Sequence, residues 1–296
     1  MKLTVFGEVL WDIFDKERKI GGAPFNFAAH AVKQGCEVEF ISAVGCDESG
    51  EAALMECKRL EIPTAGILKC NKPTGYCRVT LKNGLPDYEL VREVAYDYIS
   101  IPESCKKNDD SGTMAEVLCF GTLAQRGEIS RATLAELLKR PWKEVFFDIN
   151  IRQNFYSTEI IDESLRVTTM LKASREEVDV LNILGISGNT PEEMCRAVTN
   201  KYPNLKMVII TLDSDGAFVY EREKDAFTYS AKPDCKVVST TGAGDAFGSA
   251  FLTGYLKKLS IRECIERASA VAACVVENLG AIPEYPSALK EYLGIE

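Results

Sequence analysis

The chain has 296 residues, 46% of them hydrophobic and 27% charged, which are the proportions of an ordinary soluble globular protein rather than a disordered or membranous one. A net charge of −9 argues against nucleic acid and anionic membranes as partners, so a polyphosphate ligand would need a local positive field. No apolar stretch approaches the roughly 20 residues that span a bilayer, and Met1-Lys2-Leu3-Thr4-Val5 leads into a strand pattern rather than a signal peptide, so a cytoplasmic protein is expected.

Apolar, β-branched runs at Leu3–Phe6, Val38–Val44, Val117–Phe120, Val145–Ile149, Val178–Leu181 and Met207–Leu212 predict strands. Segments near 24–34, 48–60, 129–139, 159–172 and 191–201 carry 3.6-residue periodicity and predict helices between them. This βαβ alternation implies an α/β fold with a mostly parallel sheet covered on both faces. Residues 73–99 instead alternate apolar and polar positions around the Lys82-Asn83-Gly84 turn, the signal of a hairpin, and are expected to form a β lid with the segment near 12–20. In the last third, a short β region at 217–238 gives way to helices at about 243–258 and 261–278, closed by Gly280-Ala281-Ile282-Pro283. With no repeat, low-complexity tract or linker in between, residues 1–296 read as one domain carrying that lid.

The eleven cysteines are odd in number and include no CxxC pair, so reduced, mostly packed thiols are expected rather than disulfides or a zinc site. His30, the one histidine, follows Ala28-Ala29 in a helical run and is expected on the helix surface. Mechanisms that need a catalytic histidine are excluded unless His30 supplies it. No set of residues calls for a protein-held metal.

The search for an anion site leads to Ser239-Thr240-Thr241-Gly242-Ala243-Gly244-Asp245-Ala246-Phe247, where two glycines and an acid stand at the start of a long helical pattern. Glycines let the backbone approach a ligand, free N–H groups form a concave anion site, and the helix N-terminus adds about half a positive charge. The run is neither GK[ST] nor GxGxxG, because no Lys follows a glycine and Phe247 replaces the third glycine. Asp245 there serves equally well as a helix-end charge or as a base toward an attacking alcohol; in phosphoryl transfer the loose transition state makes orientation matter as much as basicity.

A second pattern, Gly21-Gly22-Ala23-Pro24-Phe25-Asn26-Phe27-Ala28 continued through Gly35 to Gly45, together with this run, resembles the PfkB (ribokinase-like) carbohydrate kinases over the whole length. The resemblance implies a ribokinase-like three-layer domain with a small β lid and ATP-dependent transfer of a phosphoryl group to a sugar hydroxyl. It implies Asp245 as base, with Gly242, Ala243 and Gly244 holding developing phosphate charge. Asp12, Gly21, Gly22 and Asn26 would line the sugar pocket, the glycine pair acting as hinge for the lid, and Arg152 of Asp148-Ile149-Asn150-Ile151-Arg152 would face it as a cation. Asn182, Thr211, Gly216, Asn278 and Gly280, with Ala281, would flank the nucleotide. Asp47 in Gly45-Cys46-Asp47-Glu48 reads as a structural N-cap.

Two positions depart from the family pattern, Ser239 in place of Asp and Gly185 in place of the Glu of an Asn-x-x-Glu beginning at Asn182. The first weakens the implied monovalent-cation activation, and the second a water-mediated Mg2+ contact, leaving Mg2+ held mainly by ATP. Gly7-Glu8, Asp12 and the Gly-Gly-Ala-Pro-x-Asn form look most like fructokinases, so D-fructose phosphorylated at its 6-hydroxyl is the expected reaction. Kinases of 2-keto-3-deoxygluconate, ribose or nucleosides, and a catalytically idle sugar-binding regulator, stay open; a dinucleotide oxidoreductase lacks its glycine fingerprint. An open lid edge can pair with a second copy as a homodimer clasp.

Overall fold

The computed structural model describes residues 1–13, 17–82, 85–103, 115–231 and 234–295. In chain order the described strands are β1 (Lys2–Phe6), β2 (Leu10–Ile13), β3 (Arg18–Gly21), β4 (Glu37–Gly45), β5 (Ile67–Cys70), β6 (Gly75–Lys82), β7 (Leu85–Leu90), β8 (Ala115–Gly121), β9 (Trp142–Asp148), β10 (Met170–Ser174), β11 (Met207–Thr211), β12 (Ala217–Glu221) and β13 (Ala226–Ser230). Nine of them make one sheet in the order β13-β12-β11-β10-β9-β8-β1-β4-β5, parallel from β11 to β5 and antiparallel at β12 and β13. A second sheet, β3-β2-β6-β7, pairs β2 with β6 in parallel and the others antiparallel.

The central strands are apolar almost continuously because both of their faces are covered. Along β9, Phe146 packs with residues of the helices Ala23–Lys33 and Ala243–Leu256 on one face. Its neighbours Val145 and Phe147 point the other way, into a core shared with Leu134, Ile161 and Val198 of the helices Glu128–Leu138, Thr158–Val167 and Pro191–Lys201. Helix, sheet and helix thus form the three layers of an α/β fold. Among the described residues no helix is long and apolar enough to cross a membrane.

Several local expectations agree with this architecture. Asp47 caps the helix Glu48–Arg59, accepting from the Gly50 N–H at 2.7 Å, and also takes the Thr74 N–H and hydroxyl at 2.8 and 2.6 Å. The ten described cysteines are all free and seven of them are buried; Cys105 lies outside the described residues. Asn83 and Gly84 of the hairpin turn, and residues 14–16 beside the lid segment, also lie outside them.

Four expectations need correction. There is no strand at Val178–Leu181: Arg175–Val178 is a helical turn and Asp179–Leu184 a 3-10 turn. The reason is a capping box, in which the Ser174 hydroxyl accepts from the Glu177 N–H while Glu177 takes the Ser174 N–H at 2.8 Å. The strand lies earlier, at Met170–Ser174, so the helix expected over 159–172 stops at Val167. His30 is not on the surface but fully buried, bonded to residues of the C-terminal segment. The lid hairpin itself is β6 and β7, whereas Ala95–Tyr98 is a 3-10 turn with Tyr96 wholly inside the main core.

Candidate active site

The candidate residues gather at the carboxyl ends of the parallel strands, where open α/β sheets leave a crevice for ligands. Gly242 is the N-cap of the helix Ala243–Leu256 and adopts φ 80°, ψ −4°, a left-handed conformation that suits glycine. A Cβ at this position would sit 2.4 Å from the Ala281 Cβ. The Ala246 N–H makes the first helical bond, to Gly242 O at 2.9 Å, and the Ala243 N–H turns back to Thr240 O at 3.2 Å. The N–H groups of Gly242, Gly244 and Asp245 have no acceptor among the described residues, leaving donors at a positive helix end.

Asp245, third residue of that helix, is buried and its Oδ2 accepts from Asn26 Nδ2 at 2.8 Å. Burial raises its carboxyl above the usual range, against the pull of the Asn26 bond, Arg152 and Lys172. Asn26 is held in turn by the helix Ala23–Lys33, its N–H bonded to Gly22 O at 2.8 Å, and its own Oδ1 is buried without a partner among the described residues.

Around the glycine pair, β2 and β3 place Asp12 over Gly21, where a Cβ would come within 3.0 Å of Asp12 Oδ2. Gly22, with φ 109°, brings its backbone so close to Glu8 that a Cβ would meet the Glu8 carbonyl oxygen at 2.6 Å. Burial pushes the Glu8 carboxyl up to about 7 and that of Asp12 up to about 6, in both cases against the Arg152 guanidinium. Arg152 itself is exposed, and its Nη1 donates to Ile151 O at 3.2 Å. Asp12, Gly21, Gly22, Asn26, Arg152 and Asp245 are therefore brought together.

Thr211 ends β11 and pairs in register with Ser174 and Ala217. The following turn closes with the Leu212 N–H on Gly216 O at 2.8 Å, and Gly216 has φ 92°. Asn278 follows the helix Ile261–Val276 and bonds its end through Nδ2 to Cys274 O at 2.7 Å, and Gly280, with φ 100°, leads into Ala281 against Gly242. Beside this segment Val237 and Leu279 are 60% and 77% exposed, an unusual openness for large apolar side chains, and the Val238 N–H ties the two stretches together through Val276 O. Asn182 stands apart, exposed on its 3-10 turn, with no described hydrogen bond to the other candidates.

Sequence reasoning missed two groups. Lys172 of β10 is buried, with its Nζ 2.8 Å from Asp148 Oδ2 and 3.5 Å from where a Cβ on Gly244 would stand. Burial opposes its charge, but Asp148, Glu177 and Asp245 together raise its pKa and keep it an ammonium. For Asp148 burial outweighs that ammonium and pushes the carboxyl to about 6, so the pair is ionised at neutral pH. Glu177 is the second: it follows the end of β10 directly, accepts from the Ile151 N–H at 2.7 Å, and acts electrostatically on Asp148, Lys172 and Asp245. β10 ends at Ser174, so Ser174-Arg175-Glu176-Glu177, rather than Asn182–Gly185, is the stretch that follows this strand. The signal available was Ser174-x-x-Glu177, a capping-box spacing after a β run.

The sequence matches the family described as pfkB family carbohydrate kinase over residues 2–288. An uncharacterized sugar kinase of Pyrococcus horikoshii is 30% identical over 278 residues, covering 90% of this chain and 83% of that protein. Its crystal structure in complex with ATP superposes with a TM-score of 0.78 over 95% of this chain and 94% of that one. A 5-dehydro-2-deoxygluconokinase of Clostridium perfringens is 28% identical over 298 residues, or 93% of this chain and 83% of that protein. A fructokinase of Xylella fastidiosa, crystallised with bound ATP, shares the fold at a TM-score of 0.84 and 20% identity, covering 99% of this chain and 97% of that one. With a family match over nearly its whole length, the chain belongs to the pfkB family of carbohydrate kinases.

Proposed function

We propose that the chain transfers the γ-phosphoryl group of ATP to a primary hydroxyl of a sugar, with D-fructose giving fructose 6-phosphate as the foremost reaction. One observation carries the kinase reading: a buried carboxylate, Asp245, in the first turn of a helix whose Gly242, Gly244 and Asp245 N–H groups have no acceptor among the described residues. In this proposal the sugar oxygen attacks the γ-phosphorus, the bond to the β–γ bridging oxygen breaks, and ADP leaves. The hydroxyl proton passes to Asp245, whose raised pKa suits it to receive one. Asn26 orients Asp245, the turn Gly242-Ala243-Gly244 holds equatorial phosphate oxygens, and Lys172 adds positive charge behind Gly244.

Asn278 and Gly280 would flank the adenine, and Val237 with Leu279 would be covered by it; Thr211 and Gly216 would lie along the phosphates. The described residues contain no group of three or more His, Cys, Asp or Glu side chains placed to hold a metal ion, so Mg2+ would arrive on the nucleotide's own oxygens and neutralise their charge. The sheet β3-β2-β6-β7 is proposed as a lid on one 1–296 domain, hinged at Gly21-Gly22, that excludes water as it closes. Its outer strands β3 and β7 have no further strand beside them among the described residues, which makes a homodimer clasp part of the same proposal.

A neutral ketose is favoured by the Gly7-Glu8, Asp12 and Gly21-Gly22-Ala23-Pro24-x-Asn26 pattern, and by Asp12 beside Gly21, a side chain whose carboxylate can accept from sugar hydroxyls. An acidic keto sugar is the second reading, favoured by the 28% identity to 5-dehydro-2-deoxygluconokinase. The test is a coupled ADP assay with Mg-ATP on fructose, 2-keto-3-deoxygluconate, 5-dehydro-2-deoxygluconate and ribose. Much faster turnover of either acid, or of ribose, overturns the fructose assignment. Asp245→Asn should keep ligand binding and cut turnover at least about 100-fold; unchanged turnover removes Asp245 from its role as base.

A further inference from the structure

His30 lies four residues after Asn26 on the helix Ala23–Lys33, so both side chains project from one helix face. Asn26 reaches Asp245, while His30 reaches the C-terminal segment: Nε2 stands 2.9 Å from Ala281 O and Nδ1 2.6 Å from the Tyr285 hydroxyl. A carbonyl only accepts, so Nε2 carries the proton and donates to Ala281, which leaves Nδ1 to accept from Tyr285 Oη. The Tyr285 ring stacks on the imidazole at 5.8 Å and 15°. Burial pushes the imidazole pKa down to about 4, so the ring is neutral near pH 7 and this pattern is stable there. Ala281, the residue so anchored, is the one that abuts Gly242, where a Cβ would come within 2.4 Å of the Ala281 Cβ and 2.9 Å of its Cα.

We infer that His30 is a positioning residue for the nucleotide: through Ala281 it fixes the spacing between segment 278–282 and the phosphate-binding turn at Gly242, while Asn26 on the same helix face sets the base. One helix thereby registers the two halves of the site against each other. The inference rests on reading 278–281 and 242–244 as the nucleotide side. It assigns His30 an effect on ATP that is separable from the sugar.

The test compares His30→Leu, His30→Gln and Tyr285→Phe in the full chain, with KM for ATP, KM for the sugar and kcat measured separately. His30→Leu should raise KM for ATP about tenfold, the effect of losing one buried hydrogen bond, with KM for the sugar changed less than about twofold. His30→Gln keeps a donor for Ala281 O and should recover most of the loss. Tyr285→Phe removes only a hydroxyl, should raise KM for ATP by about threefold, and carries the test if His30→Leu does not fold. Equal changes in both KM values, or an unchanged KM for ATP in a folded variant, overturn the inference. Calorimetric ATP affinity reads the same contrast without turnover. Wild-type protein that binds ATP but phosphorylates no sugar would therefore sink the kinase reading alone, and wild-type protein that binds no ATP would sink both.

Discussion

Replacing Glu8 by Gln should stabilise the protein at pH 8, although it removes a carboxyl beside the candidate site. Glu8 is 3% exposed, and burial lifts its pKa from the ordinary 4.5 to about 7 despite a hydrogen bond from the Ala23 N–H. Because the folded pKa is the higher one, the fold holds the proton more tightly than the unfolded chain does. Below pH 4.5 both states carry it and there is no penalty; as pH rises from 4.5 to about 7 the unfolded chain ionises first and stability falls; above 7 the full cost remains. The interval corresponds to about 3 kcal/mol at 1.36 kcal/mol per pH unit. With an unfolding entropy of about 2.1 cal/mol/K per residue over 296 residues, this is a rise in Tm of about 5 °C for Glu8→Gln at pH 8. Gln keeps an acceptor for the Ala23 N–H, and the gain should vanish near pH 4.5. Thermal unfolding of both proteins without ligands, followed by circular dichroism between pH 5 and 8, measures it. A difference in Tm that does not grow with pH refutes the reasoning, because every other titrating group is common to the two proteins.

Gly242→Ala should cost about 1–2 kcal/mol for the left-handed backbone alone, and its Cβ must also displace Ala281 from a 2.4 Å contact. The expected result is a lower Tm together with a higher KM for ATP in steady-state assays. Lys172→Met leaves Asp148 as an uncompensated buried charge and should destabilise the fold by about 3–5 kcal/mol, recovered largely in the double variant with Asp148→Asn. Since Lys172 pulls the Asp245 pKa down, its loss should move the acid limb of the kcat–pH profile to higher pH, whereas a purely structural role would leave that limb in place.

Local signals are legible where neighbouring residues carry them: Val145–Ile149 and Met207–Leu212 reveal strands because both faces of the sheet demand apolar residues, and the glycines before Asp245 mark the left-handed turn that starts a helix. Lys172 concealed β10 because a charge inside an apolar run argues against a buried strand unless its partner is known. That partner, Asp148, is 24 positions away on the adjacent strand. Without β10 the apolar residues of Val178–Leu181 read as a strand, whereas the strand is Met170–Ser174 and Ser174–Glu177 follows it.

The sequence by itself determined the α/β layering, the glycine-capped helix start before Asp245 and the pattern of the carbohydrate kinases, because periodicity and glycine spacing are properties of neighbouring residues. The tertiary structure alone decided which charges meet. Asn26 lies 219 positions from Asp245, and His30 lies 251 from Ala281, so their bonds exist only once the helix Ala23–Lys33 packs against the C-terminal helices. Burial created by that packing, rather than residue type, is what lifts Glu8 and Asp245 and neutralises His30, since desolvation penalises whichever form carries charge.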